Sequence, residues 1–301
     1  MNYRTDLAIE RKEILDEEGE RTEEIEGIEL IKTDYGDGVT ATTIDITTQS
    51  AADKLSKPIG KYITIEAKGM LDENEQVKMN AINAVADTLK EMIGFHYHLK
   101  VLVAGLGNAD VTPDSLGPEA ASKIRVTRHL FLIFDADGDD EMSCVSCIIP
   151  GVMGNTGIET AEIIKRTADA IDPEFIIVID SLAARNIERV STTIQITDTG
   201  ISPGAGMGNR RTGISEETVG VKVIAIGIPT VIDVTTIIRD VLNDNIHFIN
   251  HPDNLSDIDE YIEKYDQQMV VTSTDIDMII KEFSDIIASG INKCLHPGIY
   301  K

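Results

Sequence analysis

The chain has 301 residues, 42% of them hydrophobic but only 4% aromatic and none tryptophan, enough apolar material for one large core or two modest ones in a compact α/β protein. Its 52 acidic and 27 basic side chains give a formal net charge of -25, which repels phosphate backbones and argues against direct nucleic-acid binding. No apolar run approaches the roughly 20 residues of a membrane span, the N-terminus lacks the apolar core of a signal peptide, and three cysteines do not resemble a secreted disulfide framework, so a cytoplasmic setting without a membrane partner is expected.

In chain order, the charged stretch from Glu10 to Glu29 is expected on the surface. The Thr-rich segment Val39 to Thr47 and Tyr62 to Glu66 read as strands, and Glu73 to Ile93 as a helix with Val77, Ile82, Val85 and Leu89 near helical spacing. A regular alternation follows. Strands are predicted at Lys100 to Ala104, Leu130 to Phe134, Ser143 to Ile149, Glu174 to Ile179, Thr192 to Ile196 and Val221 to Ile226. Helices are predicted at Pro118 to Arg125, Gly157 to Ile171, Leu182 to Val190 and Val234 to Leu242, with Ile258 to Ile262 and Asp275 to Ile287 helical in the charged C-terminal region. Such alternation predicts an α/β, three-layer fold: a mostly parallel twisted sheet flanked by helices, in one domain, since no repeat or linker divides it.

In open α/β sheets the crevice beyond the carboxyl ends of the strands is the usual site. Asp114, in Gly105-Leu-Gly-Asn-Ala-Asp-Val-Thr-Pro-Asp114, and Asp180, after Phe175-Ile-Ile-Val-Ile179, fall at such ends, as does Asp233. Two carboxylates within a few ångströms push one pKa up, leaving one ionised to activate water and one protonated to donate to a leaving amine. The competing reading makes Asp114 and Asp180 helix N-caps.

Other motifs carry less. Gly105-Leu-Gly107 suggests a dinucleotide turn but departs from it at Asp110, a negative charge where phosphate would lie. Asp135 to Glu141 has its glycine in the wrong place for a calcium loop, and His96, His98, His247 and His251 form no zinc helix. Cys144-Val-Ser-Cys147 reads as a strand whose residues three apart face opposite sides, unlike a redox pair. Ser181 beside Asp180 is a conceivable nucleophile without an elbow motif, and Ser202 to Arg211 is a glycine-containing loop whose two arginines could meet acidic groups.

Arg4-Thr-Asp-Leu-Ala8, Gly105-Leu-Gly-Asn108, Thr112-Pro-Asp-Ser-Leu-Gly-Pro118, Val126-Thr-Arg-His-Leu130, Pro150-Gly-Val-Met-Gly154, Asp180-Ser-Leu-Ala-Ala-Arg185 and Ile228-Pro-Thr-Val-Ile-Asp233 together closely resemble the spore germination protease family of endospore-forming bacteria, over nearly the whole chain. The resemblance implies a fold similar to hydrogenase maturation endopeptidases and an endopeptidase of the spore core that degrades small acid-soluble spore proteins during germination. It implies an aspartate pair at Asp114 and Asp180, a homotetramer, and a zymogen that removes its own propeptide. Thr5-Asp-Leu-Ala-Ile-Glu10 resembles the cleaved sequence Thr-Glu-(Ile/Phe)-Ala-Ser-Glu, placing the cut between Asp6 and Leu7, a propeptide at residues 1–6 and a single α/β protease domain at 7–301. No cofactor is expected. A metal held by Asp114, Asp180 and Asp233 is the alternative within the same activity, and a nucleotide-binding module using the Gly105 turn, or a non-catalytic binder of the spore proteins, the alternatives outside it.

Overall fold

A computed structural model of the chain describes residues 5–69, 74–94, 96, 98–134, 142–204, 211–244 and 269–300. The strands are β1 (Ile28–Gly36), β2 (Val39–Ile46), β3 (Gly60–Ala67), β4 (Lys100–Gly105), β5 (Cys144–Ile148), β6 (Phe175–Ala184), β7 (Thr193–Thr197), β8 (Lys222–Asp233) and β9 (Val270–Val271). They form one sheet in the order β1-β2-β3-β7-β8-β6-β4-β5, with β9 paired to β8.

The α/β class with helices on both faces is present, and the parallel expectation holds for one half. There β5, β4, β6 and β8 run parallel, whereas β1, β2, β3 and β7 join through antiparallel pairings, the last of them between β7 and β8. Parallel strands covered on both faces are apolar at successive positions, and these are. On one face Val101, Val103, Ile177, Ile179, Ile224 and Ile226 pack with α3 (Glu75–Ile93), α4 (Leu116–Ser122) and α10 (Ile276–Leu295). On the other, Leu102, Ala104, Ile176, Val178, Val223 and Ala225 meet Ala161 and Ile164 of α7 (Thr160–Ile171). The antiparallel half is closed on this second face by α1 (Ala8–Glu17) and α2 (Gln49–Leu55), whose Ala8, Ile9, Ala51 and Leu55 cover Ile44, Ile46 and Tyr62.

Local chemistry sets the boundaries. Asn74 caps α3, its side chain accepting from the Gln76 and Val77 N–H groups, and Gly94 ends the helix in the left-handed region. Burial of the stripe Val77, Ala81, Val85 and Leu89 then fixes the helix against the sheet.

Three expectations are corrected. Leu130 to Phe134 is not a strand but part of α5 (Arg128–Phe134), with Leu132, Ile133 and Phe134 exposed; a short apolar run fits either period. Leu182 to Val190 is not a helix: β6 continues to Ala184, followed by a single 3-10 turn at Ile187–Arg189. Pairing with β8 and burial of Leu182, Ala183 and Ala184 override the helix propensity of that stretch. Nor is Glu10 to Glu29 a surface segment throughout, because Glu10, Ile14, Thr22 and Ile28 are buried. The segment Ile258 to Ile262 lies outside the described residues.

Candidate active site

The connections leaving the ends of β4 and β6 diverge, β4 toward β5 and β6 toward β7 and β8, so a crevice opens beyond these two neighbouring strands. Two glycines let the chain close over it. A Cβ on Gly107, whose φ is +106°, would stand 2.0 Å from the Asp114 carbonyl oxygen, and one on Gly117 would stand 2.2 Å from the Leu106 oxygen and 2.5 Å from that of Ile179. Only without those atoms can the Thr112–Asp114 turn and the start of α4 settle onto the strand ends. The Gly105 turn is therefore filled by its own backbone and offers no seat for a pyrophosphate.

That packing brings Asp114 beside β6, where the Asn108 N–H donates to its Oδ2 at 2.9 Å. Asp180 is 5% exposed in β6. Burial first, and the Asp114 carboxylate second, hold the Asp180 carboxyl well above the usual carboxylate range, against the opposing Ser181 N–H and Arg211. Asp114 is itself raised by burial, with the Asn108 N–H and Arg211 pulling it back. Two carboxyls acting on each other, one of them deeply buried, titrate as a pair.

Asp180 also lines a cavity of about 580 Å³ on the α1 side of the sheet, together with Asp6, Lys57, Ser181, Gln195 and Ser202; Asp114 stands beside it, outside the lining. The floor is legible in the register. Asp180 pairs with Gly227 and Gly227 with Gln195, so two side chains flank a position that has none. At ~4.8 Å per strand spacing, Asp180 and Gln195 are about 10 Å apart along the floor.

Across that floor lies the N-terminal segment. The Asp6 N–H donates to Ala183 O at 3.0 Å, and the Ala183 N–H donates back to Asp6 Oδ2 at 2.9 Å. The Asp6 carbonyl accepts from Lys57 Nζ at 2.8 Å and Gln195 Nε2 at 3.1 Å, while the Ala8 N–H donates to Gln195 Oε1 at 2.7 Å. Leu7 is fully buried among Ile44, Leu55 and Leu182. Glu10 accepts from the Arg185 and Asn186 N–H groups, both at 2.8 Å, and from the Thr5 hydroxyl. Arg189 stands beside it and ties Glu13 and Glu66 into the same anchorage.

A family model described as germination protease matches residues 6–252. The chain belongs to the germination protease family. It is 41% identical to the germination protease of Caldanaerobacter subterraneus subsp. tengcongensis over 316 residues, covering 99% of this chain and 96% of that one. Against the germination protease of Clostridium perfringens it is 40% identical over 315 residues, covering 99% and 96%, and against that of Bacillus subtilis 37% over 347 residues, covering 98% and 94%. Among solved structures, the [NiFe] hydrogenase maturation protease HycI from Thermococcus kodakarensis KOD1 aligns with 68% of this chain and 99% of its own, at 13% identity and a TM-score of 0.35.

In this germination protease family member Asp114 is near enough to act on the Asp180 carboxyl, Asp6 lines the same cavity as Asp180, and Leu7 is buried in the core with Leu182. Asp233 does not join them. It sits six residues beyond Gly227 on β8, about 20 Å at ~3.3 Å per residue, and accepts from the Thr235 N–H at 2.8 Å as the cap of α9 (Val234–Asp244). Among the described residues no three His, Cys, Asp or Glu side chains converge in a geometry suited to a metal ion. Among the described residues no histidine lines the cavity beside Ser181. His96 faces Glu174 at 3.1 Å, and Cys144 and Cys147 lie on opposite faces of β5 without a disulfide, Cys147 with its thiol pushed up to about 11 by burial. Of the Ser202 to Arg211 loop, Ser202 and Gly204 line the cavity and Arg211 acts on both carboxyls, while residues 205–210 lie outside the described residues, as do Asp135 to Glu141, His247 and His251. No helix among the described residues is long and apolar enough to cross a membrane. Lys57 and Gln195 were not singled out by the sequence.

Proposed function

We propose that this chain is an endopeptidase that hydrolyses small acid-soluble spore proteins in the core of germinating spores, with Asp114 and Asp180 as its acid and base, and that it is made as a zymogen which cuts its own Asp6–Leu7 bond. One observation carries the reading. Asp6, beside the proposed cut in the segment Thr5-Asp-Leu-Ala-Ile-Glu10 that resembles the cleaved sequence, lines the same cavity as Asp180 and bonds to Ala183 of β6. Residues 1–6 are then the propeptide and 7–301 the protease domain.

The electrostatics support a division of labour. Asp180, the more deeply buried, keeps the shared proton and gives it to the leaving nitrogen; Asp114, held toward its ionised form by the Asn108 N–H and Arg211, takes a proton from water. An acidic residue before the cleaved bond is read by the Ala183 N–H, as Asp6 is here. A homotetramer is the proposed assembly, which sedimentation velocity tests.

The decisive experiment incubates a form starting at Leu7, its Asp180→Asn variant and the full chain with a peptide containing Thr-Glu-Ile-Ala-Ser-Glu, products being read by mass spectrometry. Cleavage after Glu by the Leu7 form alone is expected, with slow loss of residues 1–6 from the full chain. Equal cleavage by the Asp180→Asn variant would refute the assignment of the pair.

A further inference from the structure

From the grip on the Asp6 carbonyl oxygen, we infer that Lys57 and Gln195 are catalytic residues of this protease, polarising the carbonyl of the bond to be cut and holding the negative charge that develops on its oxygen. The inference rests on the proposed reading of Thr5 to Glu10 as the chain's own substrate segment.

Three features separate this grip from ordinary satisfaction of a buried carbonyl. First, the donors come from two distant places, the loop between α2 and β3 and the middle of β7, and converge on one oxygen at 2.8 and 3.1 Å. Second, the orientation of Gln195 is set by its other end: with Oε1 accepting from the Ala8 N–H, Nε2 is left to face the Asp6 oxygen. Gln195 thus spans the Asp6–Leu7 bond, touching the residue before it and the second residue after it. Third, Gln195 is 6% exposed and shares the floor with Asp180 across Gly227, and the Asp6 residue it holds lines the same cavity as that buried carboxyl. A carbonyl clamped by a cation and a buried amide, in a residue that shares its cavity with a buried acid, is the arrangement that favours charge developing on oxygen. Lys57 suits the role: burial brings its ammonium down to about 8, with Asp6 and Glu10 opposing that fall and Arg11 adding to it, so it remains mostly charged near neutrality.

The step balances. The water oxygen bonds to the Asp6 carbonyl carbon as its proton passes to the ionised aspartate, and the C=O electron pair moves onto the oxygen bound by Lys57 and Gln195. That pair then returns, the C–N bond breaks, and the protonated aspartate gives its proton to the Leu7 nitrogen. A new carboxyl at Asp6 and a new amine at Leu7 result.

The test uses the form starting at Leu7 with the hexapeptide-containing substrate, and compares wild type with Lys57→Met, Lys57→Arg and Gln195→Leu, each checked by thermal unfolding. Loss of one such donor typically lowers kcat by ~10²-fold or more. The expected result is that fall in kcat for Lys57→Met, a fall of at least ~10-fold for Gln195→Leu, KM within a few-fold of wild type, and partial recovery in Lys57→Arg. Should Lys57→Met not fold, Gln195→Leu and Lys57→Arg carry the test. A peptide aldehyde ending at the acidic residue, which hydrates to a tetrahedral adduct, should lose more affinity in these variants than the uncleaved peptide amide does. Unchanged kcat in the folded variants, or a raised KM alone, would overturn the inference and leave the protease reading intact. Absence of cleavage by wild type itself would remove both.

Discussion

The two halves of the sheet contribute to the site in different ways. The parallel half supplies the carboxyls: Asp180 lies within β6, and the turn after β4 carries Asp114. The antiparallel half, with α1 and α2 packed on it, seats the N-terminal segment and supplies the groups that hold its carbonyl, Lys57 after α2 and Gln195 in β7. The acid pair thus belongs to one half and the donors to the carbonyl to the other, and the β7–β8 pairing at Gln195 and Gly227 joins them. Loss of the pair and loss of the donors should therefore both lower kcat, whereas loss of the anchorage around them should not.

The largest expected effect comes from the acid pair. Asp114→Asn and Asp180→Asn should each lower kcat by ~10²-fold or more with little change in KM, since neither side chain is needed to seat the segment. Steady-state kinetics on the hexapeptide check this; a rise in KM with kcat preserved would place the carboxyls among the seating groups and dissolve the division between halves.

Next in size is the approach of α4 to the strand ends. Gly117→Ala puts a methyl group within 2.5 Å of three backbone atoms that cannot swing aside, so α4 must retreat and take Asp114 with it. Overpacking of this kind costs about 1–3 kcal/mol. Thermal unfolding should show that loss, and kcat should fall with it, whereas an equally destabilising change in the antiparallel half away from Lys57 and Gln195 should leave kcat of the folded enzyme near wild type.

The seating half has its own sensitive point at Glu10. Its carboxylate accepts from the Arg185 and Asn186 N–H groups, and a neutral amide in its place would turn at least one donor toward another donor. Glu10→Gln should cost about 1–3 kcal/mol and slow removal of residues 1–6 in the full chain. Mass spectrometry over time reads the second effect. Unchanged self-cleavage would show that this anchorage does not help present the bond.

How much of this could be read in advance follows the same division. Asp114 and Asp180 were legible because a carboxylate after an apolar run of buried-strand character is an uncommon place for a charge. Runs such as Val101 to Ala104 and Phe175 to Ile179, apolar on both faces, announced the parallel half. The seating half is quieter. The buried face of α1 carries Glu10, whose charge is satisfied by backbone N–H groups distant in sequence, so no apolar stripe marks it. Lys57 is one of many lysines until Asp6 is placed beside it. Gln195, within Thr-Ile-Gln-Ile-Thr, could have been found only after the sheet order was known, because it is the register through Gly227 that sets it beside Asp180. Asp233 misled for the opposite reason: it too ends a strand, but that strand runs six residues past the site, and its carboxylate caps α9.

The smallest effect expected is on stability, and its sign distinguishes a raised carboxyl from an ordinary ion pair. In the unfolded chain Asp180 titrates near ~3.9. In the fold, burial and then the neighbouring Asp114 hold it well above that, so between the two values the folded state binds more protons than the unfolded state. The stability conferred by the protonated carboxyl is fully present below about pH 4 and is lost as pH rises through the folded value. Asp180→Asn removes that loss, since the amide never ionises. Thermal unfolding of both proteins from about pH 4 to about pH 8 should therefore show similar values at the acid end and a variant that gains on wild type as pH rises. A carboxylate stabilised by Arg211 instead would give the reverse, with the variant falling behind wild type as pH rises, and would transfer the shared proton to Asp114.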